Sequence, residues 1–347
     1  MRLLITTQAV DLDDPVLGFF HRWITEFAGR CEHVDVICLR EGRHELPQNV
    51  SVHSLGKEKG ASRLRYVWRF YHYAWQLRRG YDAVFVHMNS EYAVMGGLLW
   101  RLLGKRLVLW RNHKLPGFST AIGARFAHTV CYTSPTAYVA RFPNAAQMPV
   151  GIDTELFKIG DDAPATGTIL FLGRLDAVKR ADLFCEAFRL LHARWEAHGG
   201  LHPRADIFGD PTPGKTKYAD MLKTKYARIA ELMFHPGVRN DRAPHLYASH
   251  VVYCNLTPSG SFDKTILEAM ACGSVVVCSN DAVRGIVPEN LLAGDTPESV
   301  MQALGAALGL SEPERRALAA RQRAWVEREH SLTLLTERLF GILFAHG

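Results

Sequence analysis

A chain of 347 residues is long for one domain and comfortable for two, each with a core of its own. Hydrophobic residues make up 48% and charged residues 22% without any low-complexity tract, which excludes a disordered or fibrous chain. Residues 1–150 hold 19 Lys and Arg against 11 Asp and Glu, whereas 151–347 hold 22 against 24, so the basic excess is N-terminal and suits anionic lipid, nucleic acid or an acidic substrate alike.

The opening MRLLITTQAVDLDD turns acidic after a few apolar residues, so no leader peptide is expected and a cytoplasmic location is. Short β-branched runs then alternate with stretches of helical period, the pattern that builds βαβ units and parallel sheets. In the first half strands are predicted at 2–7, 33–39, 50–55, 82–88, 106–112 and 128–134. Several are apolar on both faces, as a strand between two helix layers must be. Residues 57–80, KEKGASRLRYVWRFYHYAWQLRRG, interleave seven Lys and Arg with six aromatic residues. One reading is a helix whose aromatic side is buried and whose charges are solvated. The other is a peripheral contact with anionic membrane. No recognised nucleic-acid module accompanies these charges, so no nucleic-acid partner is expected. The most apolar stretch, Val94 to Trp110, carries Arg101, Lys105 and Arg106 and lacks the roughly 20 uninterrupted apolar residues of a membrane span.

A join is expected near 148–167, where Pro, Gly and Asp cluster without periodicity, giving domains 1–152 and 153–329. Strands follow at 168–173, 205–209, 231–237, 251–256 and 274–280, so each half reads as a doubly wound unit. Two such sheets facing each other would leave a cleft at their strands' carboxyl ends. The apolar-rich helix expected at 330–347 would pack back on the first domain. The seven cysteines form no CxxC pair and sit mostly in apolar runs, which reads as reduced core thiols.

Three segments carry candidate chemistry. In LFLGRLDAVKRADLFCEAF (170–188) a strand ends at Gly173, with Arg174 and then Lys179 at the start of a helix. Two cations there can clamp a diphosphate and stabilise its charge as it departs. In SGSFDKTILEAMACGSVVVCSN (259–280) a small polar turn opens a helix near Asp263 or Lys264 and Gly273 ends it. The unpaired N–H groups of such a helix start suit a phosphate. Lys264 and Glu268 lie four apart on one face, which fits either a site or an ordinary solvent ion pair. The third, GDPTPGKT (209–216), satisfies GxxxxGK[ST]. Pro211 and Pro213 lack the N–H groups that a phosphate-wrapping loop uses, and the strand VVYCN ends in Asn255 where a magnesium-binding acid is wanted, so a P-loop is not expected.

The first two segments together, in this order, resemble glycosyltransferase family 4, and the resemblance covers nearly the whole chain. It implies a GT-B fold of two facing Rossmann-like domains and retaining transfer of a sugar from a nucleoside diphosphate sugar to a hydroxyl acceptor. It also implies Arg174 and Lys179 on the donor diphosphate, Glu268 on the ribose, and FHPGV (234–238), with Val238, beside the base. PVGIDTELF resembles the family's interdomain segment. Gly260 stands where the family has a first Glu, so the sugar is not carried over. Gly173 and the backbone N–H groups of Ser261, Phe262 and Asp263 remain for the donor, with Lys264 following. His113, after the fifth strand, matches the family's reaction-centre His, and His87 is a second candidate. Gly18, in the loop after the first strand, would let the backbone approach the donor. Neither a metal nor a cofactor is expected, since no DxD element stands at a strand end and the cations can do a divalent ion's electrostatic work. A GT-B sugar-nucleotide epimerase, or a donor-binding or membrane-associated scaffold without catalysis, are the alternatives.

Overall fold

In the computed structural model, which describes residues 1–14, 16–160, 163–198, 202–212, 214–259 and 262–345, the chain divides into two units. Unit 1 comprises Met1–Gly151 and Leu332–Gly347, and unit 2 comprises Ile152–Ser331.

Unit 1 runs β1 (Arg2–Val10), α1 (Phe20–Ala28), β2 (His33–Glu41), β3 (Val50–Ser54), α2 (Arg63–Gln76), β4 (Ala83–His87), α3 (Ser90–Leu102), β5 (Arg106–Trp110), α4 (Phe118–Phe126), β6 (Thr129–Tyr132) and β7 (Ala145–Gln147). All its strand pairs are parallel, in the order β3-β2-β1-β4-β5-β6-β7, so the order reverses between β1 and β4. Every residue of β4 is buried, as two covering helix layers require.

Unit 2 runs β8 (Ala165–Leu172), α5 (Ala181–His198), β9 (Arg204–Phe208), α6 (Lys217–Tyr226), β10 (Leu232–His235), α7 (Ala243–Ser249), β11 (His250–Asn255), α8 (Lys264–Ala271), β12 (Val275–Cys278), α9 (Pro297–Leu308) and α10 (Glu312–His330). Its parallel sheet has the order β10-β9-β8-β11-β12, with the reversal between β8 and β11. Local sequence sets the helix starts. Thr296 caps α9 by accepting from Ser299 N at 3.2 Å, and Ser311 with Glu314 forms a capping box on α10.

The chain then returns to unit 1 with α11 (Leu332–Leu343), whose Leu332, Leu335, Leu339 and Leu343 join Phe20, Trp23 and Phe27 of α1 in one core. Each strand expected from the sequence is present. The additional strand β7 reads AAQ, has no β-branched residue, and exists through its pairing with β6. The seven cysteines are buried and unbridged. Among the described residues no helix is long and apolar enough to cross a membrane.

Residues 57–80 depart from the buried-aromatic reading. Phe70 is buried in α2 and Tyr66 and Tyr73 pack beside it, but Trp68, Tyr71 and Trp75 are exposed.

Candidate functional site

In an open α/β sheet the crevice for ligands lies beyond the strand carboxyl ends where the strand order reverses, which in unit 2 means the segments after β8 and β11. After β8 the chain stays laddered to the next strand: Gly173 N donates to Phe208 O at 3.0 Å and Leu175 N to Asp210 O at 3.0 Å. Gly209 makes this possible, because a Cβ there would stand 1.9 Å from Gly173 O. Gly209→Ala should therefore lower stability by about 1–3 kcal/mol, as overpacking does, and blunt any ligand-induced thermal shift by moving the Gly173 loop. A urea midpoint equal to wild type would refute that role. The first glycine of GDPTPGKT thus has a packing function, and the helix after that motif begins only at Lys217. Pro213 lies outside the described residues.

Asp176 next caps a single 3₁₀ turn, Ala177–Lys179, and accepts from Thr212 Oγ1 at 3.0 Å. This turn sends the Lys179 stem back over Gly173, where a Cβ would meet Lys179 Cδ and Cε at 3.8 Å. Arg174 is exposed, and among the described residues its side chain has no hydrogen bond or ion pair.

From the β11 side comes Asp263, the N-cap of α8. Its Oδ2 accepts from Lys179 Nζ, from Asn255 Nδ2 at 3.0 Å and from Thr257 Oγ1 at 2.9 Å, and its Oδ1 from Thr265 Oγ1 at 2.9 Å. Lys179 Nζ also donates to Thr257 Oγ1 at 3.3 Å. Burial works against the Asp263 charge, but the Lys179 ammonium and these donors outweigh it and hold the carboxyl at about 2. The ammonium of Lys179 is thereby fixed at the first turn of α8, where the helix N–H groups start.

One turn into α8, Glu268 is only 5% exposed, so it is not half of a solvent ion pair. Its carboxylate accepts from Tyr247 Oη at 3.3 Å and from Asn240 Nδ2 at 3.4 Å. Asn240 follows the half-buried Val238 in the segment after β10, which ties that segment to Glu268. Burial pushes Glu268 up, opposed by the charge of Lys264, and pushes Lys264 down, opposed by Glu268.

Gly173, Arg174, Lys179, Asp263, Lys264, Glu268 and Val238 therefore all lie on the segments after β8, β10 and β11 of unit 2. Phe262 precedes the cap and its ring lies 5.4 Å from that of His330. Ser261 and Gly260 lie outside the described residues. The other named residues belong to unit 1. His113 is exposed after β5 and its Nδ1 accepts from Leu115 N at 3.1 Å. His87 is a core residue at 1% exposed, stacked on Phe20 at 3.7 Å. Gly18 closes a tight turn before α1, donating to Asp14 O at 3.0 Å. Among the described residues no cluster of His, Cys, Asp and Glu could hold a metal ion.

Sequence reasoning did not find the carboxylate hub. The D-K-T spelling signals an N-cap, but the partners Asn255, Thr257 and Lys179 come from elsewhere in the chain. Tyr247 and Asn240 carried no signal.

Residues 166–309, from β8 to the turn after α9, match the family described as "Glycosyl transferases group 1", and this segment contains every unit 2 residue just named except His330. Over 177 residues the chain is 28% identical to the D-inositol 3-phosphate glycosyltransferase of Acidothermus cellulolyticus, which takes in 46% of this chain and 39% of that protein. The match thus spans well under half the length of this curated relative. Among solved structures, HepE of Anabaena in complex with UDP superimposes with a TM-score of 0.75 at 16% identity over 100% of both chains. A glycosyltransferase from Rickettsia africae does so with 0.75 at 12% identity over 99% of this chain and 97% of that one. The fold is α/β with two parallel sheets, that of GT-B glycosyltransferase structures, and residues 166–309 are similar to a family of glycosyltransferase enzymes.

Proposed function

We propose that the protein is a retaining glycosyltransferase of family 4 that moves a sugar from a nucleoside diphosphate sugar to a hydroxyl acceptor. The observation that carries this reading is the meeting of Lys179 with the start of α8: a cation from the β8 side is held by the cap of the helix on the β11 side. A diphosphate placed there meets the third N–H of Lys179, the N–H groups of Phe262 and Asp263, and the exposed guanidinium of Arg174. As the sugar's anomeric bond breaks, negative charge grows on the departing diphosphate and these groups stabilise it. Asp263 does not repel the donor, because its charge is already met by Lys179 and four hydrogen bonds; it keeps the long lysine from wandering.

In the same reading Glu268 accepts from a ribose hydroxyl, Val238 borders the base and His113 serves the reaction centre. The cations make a divalent ion unnecessary. UDP in the HepE structure and the inositol phosphate in the name of the curated relative support a nucleotide donor and a hydroxyl acceptor. A peripheral contact of residues 57–80 with anionic membrane belongs to this reading, since it would bring a lipid-linked acceptor within reach.

Nucleoside diphosphate should be released only when donor and acceptor are both present. Release without acceptor, or conversion of the donor to its epimer, would point away from transfer. The base is found by a thermal-shift screen of UDP- and GDP-sugars, since a ligand at a hundredfold over its dissociation constant adds about 2.7 kcal/mol. Glu268→Gln should weaken that ligand about tenfold, by removing a charge-assisted hydrogen bond of roughly 1.5–3 kcal/mol. Undiminished binding by the variant would rule Glu268 out as the ribose anchor.

A further inference from the structure

The helix α2 has two apolar sides. Phe70 and Ala74 face the core, whereas Leu64, Trp68, Tyr71 and Trp75, at i, i+4, i+7 and i+11, are 84, 64, 43 and 54% exposed. On α3, Leu98 and Leu102 are 60 and 78% exposed. The two helices are joined by Tyr71 Oη donating to Met95 O at 3.0 Å, and by a cavity that Trp68, Trp75 and Leu99 line. A contiguous apolar surface of this kind marks an interaction site.

The charges around it are mostly basic, and the one carboxylate on α2 and α3, Glu91, accepts from Ser119 Oγ at 3.0 Å. Arg63, Arg65, Arg79 and Arg101 are exposed, and the Arg78 guanidinium lies 4.2 Å from the Trp75 ring centroid. Between Glu91 and Asp153 the sequence has no Asp or Glu. Beyond the end of α3, Arg101, Arg106, Arg125 and His128 line a cavity of about 630 Å³ together with Phe142 and alanines, with no carboxylate in its lining among the described residues. Arg106 Nε is buried there without a hydrogen-bond partner among the described residues. This cavity adjoins Arg106 and His128, at or just before the amino ends of β5 and β6, the opposite end of the sheet from where α/β ligands collect. A free anion accounts for the arginines but leaves Leu64, Trp68 and Leu102 in water. A bilayer carrying anionic phosphate accounts for both, since tryptophans settle at its interface and arginines reach its headgroups.

We propose that unit 1 docks on an anionic phospholipid bilayer through the α2–α3 face, with a headgroup phosphate entering the Arg101–Arg106–Arg125–His128 cavity. The proposal rests on the peripheral contact of residues 57–80 and names its lipid class and its second half. The test is co-flotation of the full chain with phosphatidylcholine vesicles and with vesicles doped with phosphatidylglycerol. Wild type should float with the doped vesicles alone, and less as salt rises. Trp68→Ala with Trp75→Ala should lose most of the flotation. Arg125→Glu, reversing one exposed charge, should weaken it about tenfold or more. All these positions are at the surface, so the variants should fold, and their donor thermal shift should match wild type. Flotation with neutral vesicles, unchanged flotation of either variant, or displacement by equimolar free phosphate would overturn the proposal. So would a lipid-free dimer that the tryptophan variants dissolve. Because flotation needs no turnover, loss of docking with intact transfer, and loss of transfer with intact docking, are separate results.

Discussion

Arg174→Ala should cut transfer by more than tenfold, toward a hundredfold, with the urea midpoint unmoved. The guanidinium is exposed and without a side-chain partner among the described residues, so its removal strands nothing. What is lost is a cation that strengthens its hold as the leaving diphosphate gains charge, and such groups are worth about 10²–10³ in rate. Lys179→Ala should lose at least as much, and stability with it. That substitution leaves Asp263, whose side chain is 11% exposed, without its counter-ion, and stranding a buried charge costs about 3 kcal/mol. Adding Asp263→Asn to Lys179→Ala removes the stranded charge, so the double variant should regain stability without regaining rate. If the double variant were as active as wild type, or Arg174→Ala turned over normally, the diphosphate assignment would have to be abandoned.

Asp263→Asn alone should flatten the acid limb of the stability curve. The Asp263 carboxyl titrates at about 2 in the folded chain against an ordinary value of 3.8. The folded state therefore binds its proton more weakly than the unfolded state. The resulting stabilisation, about 2 kcal/mol, is complete above about pH 4 and disappears as pH falls toward 2. Urea midpoints of wild type and variant should differ most at neutral pH and converge near pH 2. Parallel curves would mean that the carboxylate contributes nothing through its charge. At neutral pH the variant should also turn over more slowly, because Lys179 loses the group that holds it to the first turn of α8.

Strands buried on both faces were legible because that burial demands unbroken apolar runs, and Val275–Cys278 has no other way to be soluble inside a protein. Ala145–Gln147 was illegible because its strand state comes from a neighbour, Val130 of β6, and not from its own side chains. The same divide runs through the candidate site. Arg174, Lys179 and the start of α8 could be marked from residue type beside a strand end. The Lys179–Asp263 tie joins residues 84 apart, and nothing local announces it. Periodicity in 57–80 separated two faces of a helix but could not say which faces the core; Trp68 and Trp75 turned out to be on the open one.

The return of α11 to unit 1 has a bearing on biosynthesis. Unit 2 is one continuous stretch, Ile152–Ser331, whereas unit 1 needs Leu335 and Leu339 to finish the core begun by Phe20 and Trp23. On the ribosome the first-made half must wait, its α1 groove uncovered, while the later half is synthesised and free to close. The lobe that is translated first is completed last, and a chain stopped before Leu332 carries an open hydrophobic seam.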